Sequence, residues 1–118
     1  MSRLIADGDY GVNELSLLCH KNAEEKGFLK PEFSEMISLL HSEISEAYEE
    51  YRMPDSHYTN VYYSTDDEKP EGIPIEFADL AIRLFHYCHY LGIDLADAIR
   101  IKMKYNETRP YRHGNKKA

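Results

Sequence analysis

Apolar residues recur at intervals of three and four along most of the chain, the period of one face of an α-helix. Val12, Leu15, Leu18, Cys19 and Ala23 form a first stripe over residues 12 to 28, and Gly27 is a natural stop for it. Pro31 opens a second helix at its first turn, and Phe33, Met36, Ile37, Leu40, Ile44, Ala47, Tyr48 and Tyr51 carry its stripe up to Pro54. Residues 55 to 72, DSHYTNVYYSTDDEKPEG, are rich in turn-formers and have no sustained period, which predicts a loop. A third helix is expected from Pro74 to Leu91, stopped by Gly92. A fourth follows Asp94 as its N-cap and ends near Arg109, because Pro110 disfavours helical geometry before it. There is no internal repeat and no strong strand. The expected fold is all-α, an antiparallel bundle of four to five helices forming one domain over residues 1 to 118, with a loosely held basic tail from 110 to 118.

The polar positions sharpen this picture. At about 100° per residue, Leu40, Ile44, Ala47 and Tyr51 share one arc of the second helix, while Glu43, Glu46 and Glu50 form a stripe along its border. On the third helix Phe77, Ala78, Leu80, Ala81, Ile82, Leu84, Phe85, Tyr87, Cys88 and Leu91 cover most of the circumference. One polar stripe is left, Glu76, Asp79, Arg83, His86 and Tyr90. A helix apolar on most sides is normally buried, so that stripe faces either water or a functional cleft. Tyr48, Tyr51 and Tyr87 sit on apolar arcs and are assigned to the core or to a subunit interface.

Length and charge narrow the function classes. A chain of 118 residues supports a single core. With 14 Lys and Arg against 21 Asp and Glu, a net charge of −7, it lacks the basic face that a nucleic-acid partner needs, and a metal cation or metal-bound substrate suits it better. Cys19 and Cys88 have no CxxC spacing and read as two buried thiols. No apolar run is long enough for a membrane span or a signal peptide, so no membrane partner is expected and the expected location is cytoplasmic.

Acids three residues apart occur six times, and about four such pairs would arise by chance in this composition, so the spacing alone is weak. Context lifts two pairs. Glu43 with Glu46, and Glu76 with Asp79, lie beside apolar stripes on long helices and can direct four carboxylates at one point. These are hard oxygen ligands of the kind Mg²⁺ or Mn²⁺ prefers, and a cation between them offsets their repulsion. Lys102, Asn106 and Arg109 share a face of the last helix, and two cations with an amide suit a polyphosphate. The simpler alternative is that Lys102 and Arg109 only complement the helix dipole. His86 and His89 resemble a metal pair, but no acid has a His three residues on, so His86 is read as a polar-face side chain touching Asp79 or solvent. Contact of His20 or Lys21 with a nucleobase across the cleft is a minor alternative.

Together SEISEAYEE at 42 to 50, EFADLAIRL at 76 to 84 and GIDLADAIRIKMKYNETRPYRHG at 92 to 114 resemble the MazG-like family of all-α nucleoside triphosphate pyrophosphohydrolases. The similarity runs from the second helix onward. Ser45 stands where many relatives have Gly, and the stretch between Glu46 and Glu76 is longer than usual because of the tyrosine-rich loop. The resemblance implies Mg²⁺, with Mn²⁺ as an alternative, held by Glu43, Glu46, Glu76 and Asp79. It implies Lys102 and Asn106 near the phosphates, with Arg109 binding phosphate or holding the C-terminal turn. The implied reaction is hydrolysis between the α and β phosphates of (d)NTPs, giving nucleoside monophosphate and pyrophosphate, with Glu46 as ligand and proton acceptor. The implied assembly is a homo-oligomer, a dimer before a tetramer. The alternatives are a same-fold hydrolase acting on dUTP, dUDP or phosphoribosyl-ATP, and a non-enzymatic helical interaction module.

Overall fold

The computed structural model describes residues 10 to 110, so the tail from 111 onward lies outside the described residues. It comprises α1 (Val12–Glu25), α2 (Phe33–Tyr51), β1 (Tyr62–Tyr63), β2 (Pro70–Glu71), α3 (Ile73–Tyr90) and α4 (Leu95–Glu107). The chain is therefore mostly helical, as the apolar periods predict. The stretch 55 to 72 departs from the expected plain loop, because β1 and β2 pair antiparallel, with Tyr62 opposite Glu71 and Tyr63 opposite Pro70. A ladder of two residues per strand is too short to leave a period of two in the sequence.

Several helix boundaries have a local cause. The Gly11 N–H donates to the Glu14 carboxylate at 3.0 Å at the start of α1, and α1 gives way at Lys26 to Gly27, whose φ is 84°. At the end of α3 the Ile93 N–H donates to the Cys88 carbonyl at 2.8 Å around Gly92, a glycine-ended helix stop. The Asp94 side chain accepts from the Asp97 N–H at 3.0 Å, the N-cap expected for α4. The same carboxylate accepts from the Asn13 amide at 2.8 Å, and Asn13 Oδ1 accepts from the Ala96 N–H at 3.1 Å, so one asparagine ties the start of α4 to α1.

α3 is the central element, with α1 on one side and α2 on the other, while α4 leans on α1 alone among the helices it packs against substantially. Among the described residues the buried apolar ones are few: Met36, Ala47, Ile73, Tyr87 and Cys88. They are joined by three buried polar residues, Ser16, Glu43 and His86. Cys88 is buried and Cys19 half-buried, both as free thiols, and burial pushes both pKa values up. Among the described residues, no helix is long and apolar enough to cross a membrane.

The orientation of α2 corrects the arc assigned from its period. Met36, Glu43 and Ala47 face inward, whereas Ile44 is 51 % exposed, Tyr48 60 % and Tyr51 50 %. The helix turns the border of its apolar stripe toward α3, so that its glutamates meet the polar stripe of α3 and much of its apolar face points away.

Candidate functional site

Facing polar stripes of α2 and α3 form a cleft of about 870 Å³, to which α1, the loop after it and the β-hairpin also contribute. The cleft answers the choice posed by the stripe on α3: Glu76, Asp79, Arg83 and His86 line it rather than facing bulk water. Glu43 and Glu46 enter from α2. One oxygen from each of Glu43, Glu46 and Glu76 lies within 4.8 Å of the others, so these three carboxylates can hold a metal ion. Asp79 stands close enough to raise the pKa of both Glu46 and Glu76.

The charge balance around these groups is uneven. Arg83 Nε donates to Glu43 Oε1 at 2.7 Å, and Arg83 Nη1 donates to the Tyr87 hydroxyl at 3.4 Å. Glu43 is 6 % exposed, and its second oxygen, Oε2, is buried with no hydrogen-bond partner among the described residues. An orphaned carboxylate oxygen is costly unless a cation or donor meets it. Burial, with Asp79, Glu46 and Glu43 beside it, pushes Glu76 up to about 7. A shared hydrogen bond and repulsion with Glu43, followed by smaller effects of burial and Asp79, also raise Glu46. An all-oxygen donor set, an orphaned buried oxygen and crowded carboxyls whose pKa values are pushed up together fit a hard divalent cation.

The hairpin is fastened over the α2 side of the cleft by Tyr62, whose hydroxyl reaches both oxygens of Glu50 at 2.8 and 3.1 Å. That hydrogen bond leads the causes that push the Tyr62 phenol up to about 12. The hairpin also brings Lys69 and Glu71 to the cleft wall. At its end Gly72 adopts φ 124°, and a Cβ there would lie 2.3 Å from the Asn60 carbonyl oxygen. This close crossing sets where α3 begins, and hence where Glu76 stands one turn later.

Lys102, Asn106 and Arg109 do not line the cleft within one chain. Lys102 and Arg109 instead stand over the Tyr105 ring, at 5.0 and 5.8 Å from its centroid. The cations at the cleft wall are Lys26, Lys69 and Arg83. Lys26 and Lys69 belong to a turn and a hairpin, where no helical period flags them. Glu35 lines the cleft as well, three residues from Glu32 and two turns before Glu43. His86 is neither solvated nor beside Asp79: it is 5 % exposed, and its Nδ1 lies 3.1 Å from His20 Nδ1.

No protein-family model, curated protein or solved structure compared with the chain matches it. Fold and site therefore define a class on their own: a helical protein with a carboxylate-lined cleft able to hold a metal ion.

Proposed function

We propose that the protein is a Mg²⁺-dependent nucleoside triphosphate pyrophosphohydrolase that cleaves between the α and β phosphates. The observation that carries this reading is the convergence of Glu43, Glu46 and Glu76, with the buried Glu43 Oε2 unpartnered, in a cleft of a size suited to a small-molecule ligand. The MazG-like pattern of acids and the closing Lys102, Asn106 and Arg109 series in the sequence agree with it.

Glu43, Glu46, Glu76 and Asp79 would hold the cation. Arg83 fixes Glu43 through Oε1 and leaves Oε2 for it. A bound divalent cation neutralises phosphate oxygens and makes water a better nucleophile. Glu46, the exposed member of the three, accepts the proton of the attacking water as the water oxygen bonds to the α phosphorus and the bridge to the β phosphate breaks, releasing pyrophosphate. Lys26 and Lys69, both at the cleft wall, supply positive charge for the phosphate oxygens. Lys102, Asn106 and Arg109 would reach a phosphate only from α4 of a second copy, which accords with the proposed homo-oligomer.

A second reading, a helical interaction module without catalysis, draws on the apolar residues exposed on α2 and α4. A panel of canonical and modified nucleoside triphosphates with Mg²⁺, scored for pyrophosphate, separates the two. The hydrolase yields pyrophosphate that chelation abolishes. Absence of turnover, with a melting temperature indifferent to millimolar Mg²⁺, would establish the module instead.

A further inference from the structure

Beyond the carboxylates the cleft changes character. Cys19, Asn22, Phe28, Leu39, Ile82 and His86 also line the cleft. His86 lies two helical turns along α3 from Asp79, a rise of about 10 Å. Phe28 packs edge-on to the His86 ring with centroids 4.2 Å apart, from the loop joining α1 to α2.

Glu24 and His20 bias the polarity of His86, the first through its charge and the second through a hydrogen bond. Glu24 Oε1 lies 3.5 Å from His20 Nε2. His20 Nδ1 lies 3.1 Å from His86 Nδ1. Two ring nitrogens at that separation share one proton, and a carboxylate only accepts. Glu24 therefore favours the His20 tautomer with its proton on Nε2, which makes His20 Nδ1 a bare acceptor. His86 Nδ1 must then donate, and His86 Nε2 is left as a lone pair. That atom is buried and has no hydrogen-bond partner among the described residues. Burial, then His20 and Arg83, push the His86 pKa down.

We propose that this part of the cleft binds a planar nitrogen heterocycle, the base of the nucleotide, which packs against Phe28, Leu39 and Ile82 and donates an N–H to His86 Nε2. Glu24 and His20 are positioning residues: they make the contact an acceptor, so the pocket selects bases that present a donor. The proposal rests on the nucleotide reading of the cleft and deepens it into base selection. Because Nε2 has no solvent contact, the ligand's donor reaches it as a neighbouring ring shifts, and Phe28 is the ring carried by a loop.

The test uses free nucleosides, without phosphate or metal, so its outcome does not depend on whether the protein hydrolyses triphosphates. Uridine, cytidine and adenosine are each titrated against the analogue in which methyl groups replace the base's N–H hydrogens, and the imidazole nitrogens of His86 are followed by ¹⁵N NMR. In the wild type His86 carries its proton on Nδ1, and at least one donor-bearing nucleoside binds about tenfold tighter than its methylated partner, the weight of one buried hydrogen bond. In Glu24→Gln, whose amide can donate to His20 Nε2, the His86 tautomers mix and the preference collapses toward unity. His86→Phe loses it as well. Steric exclusion of the methyl groups alone would leave the preference intact in Glu24→Gln. Equal binding of every matched pair, no binding of any nucleoside at millimolar concentration, or a preference unchanged in both variants would overturn the proposal.

Discussion

Replacing Glu46 with Gln keeps the side chain's size and removes one negative charge from three carboxylates whose oxygens lie within 4.8 Å of one another. Turnover should fall by at least about 100-fold, the scale for damage to a metal's coordination environment. The metal-free protein should melt no lower, since repulsion is relieved. Asp79→Asn should lose activity in the same way. Glu25→Gln, exposed on α1 and outside the cleft lining, is the control; Glu35 is unsuitable because it lines the cleft. Equal loss in Glu25→Gln, or intact hydrolysis in both Glu46→Gln and Asp79→Asn, would remove the assigned metal site. Arg83→Met acts differently, since it removes the guanidinium that donates to the nearly buried Glu43. Because Arg83 itself is 40 % exposed, the expected cost is about 1–3 kcal/mol, less than for a fully buried pair, measured by urea unfolding. The pH dependence has a defined sign. Glu76 titrates at about 7 in the folded chain and Glu46 is also raised, against about 4.3 for an unfolded Glu. Between those values the folded protein holds protons that the unfolded chain has lost, so these groups lower stability as pH rises through that window. Saturating Mg²⁺ replaces those protons and should flatten or reverse the slope. Identical slopes with Mg²⁺ and with chelator would show that these carboxylates hold no cation.

The element most sensitive to a single atom is the junction between the hairpin and α3. Gly72→Ala adds a Cβ at 2.3 Å from the Asn60 carbonyl oxygen and forces an L-residue to φ 124°, so a loss of about 2–3 kcal/mol is expected by thermal or urea unfolding. Activity should fall further than stability, because the first turn of α3 carries Glu76. Wild-type stability in Gly72→Ala would mean that the hairpin is not held against the start of α3 as described. The helices themselves were legible because their signals are local: the stop at Gly92, the cap at Asp94 and the apolar periods lie within a few residues of their effects. The hairpin was not, since its pairing joins residues seven and nine apart with two residues per strand and no alternation.

At the scale of the whole molecule, the single chain leaves much apolar surface uncovered. Phe33, Ile44, Tyr48 and Tyr51 are at least half exposed on α2, as are Ile101, Met103 and Tyr105 on α4. Its radius of gyration is 17.0 Å, where a compact chain of about 100 residues has about 13 Å. Surfaces of this kind are normally covered by another chain. Light scattering at micromolar concentration should therefore give a mass of at least a dimer, and Ile44→Glu combined with Tyr48→Lys should shift it toward monomer. An active wild-type monomer would refute the assembly, and with it any role for Lys102, Asn106 and Arg109 at a neighbour's cleft.

The sequence by itself determined the four helices, their stops, and the grouping of Glu43 with Glu46 and of Glu76 with Asp79, because each depends on the helical period and on neighbours within one or two turns. Period fixes the angle between side chains on one helix but not the direction that helix faces, which is decided by residues far away in the chain. Only the tertiary structure therefore decided that α2 buries Glu43 against Arg83, forty residues on, while Ile44 turns outward. The same holds for His20 and His86, sixty-six residues apart, whose pairing leaves one nitrogen bare in the cleft wall. A lone histidine on a helix carries no signal of its partner, since the proton they share exists only once α1 has packed against α3.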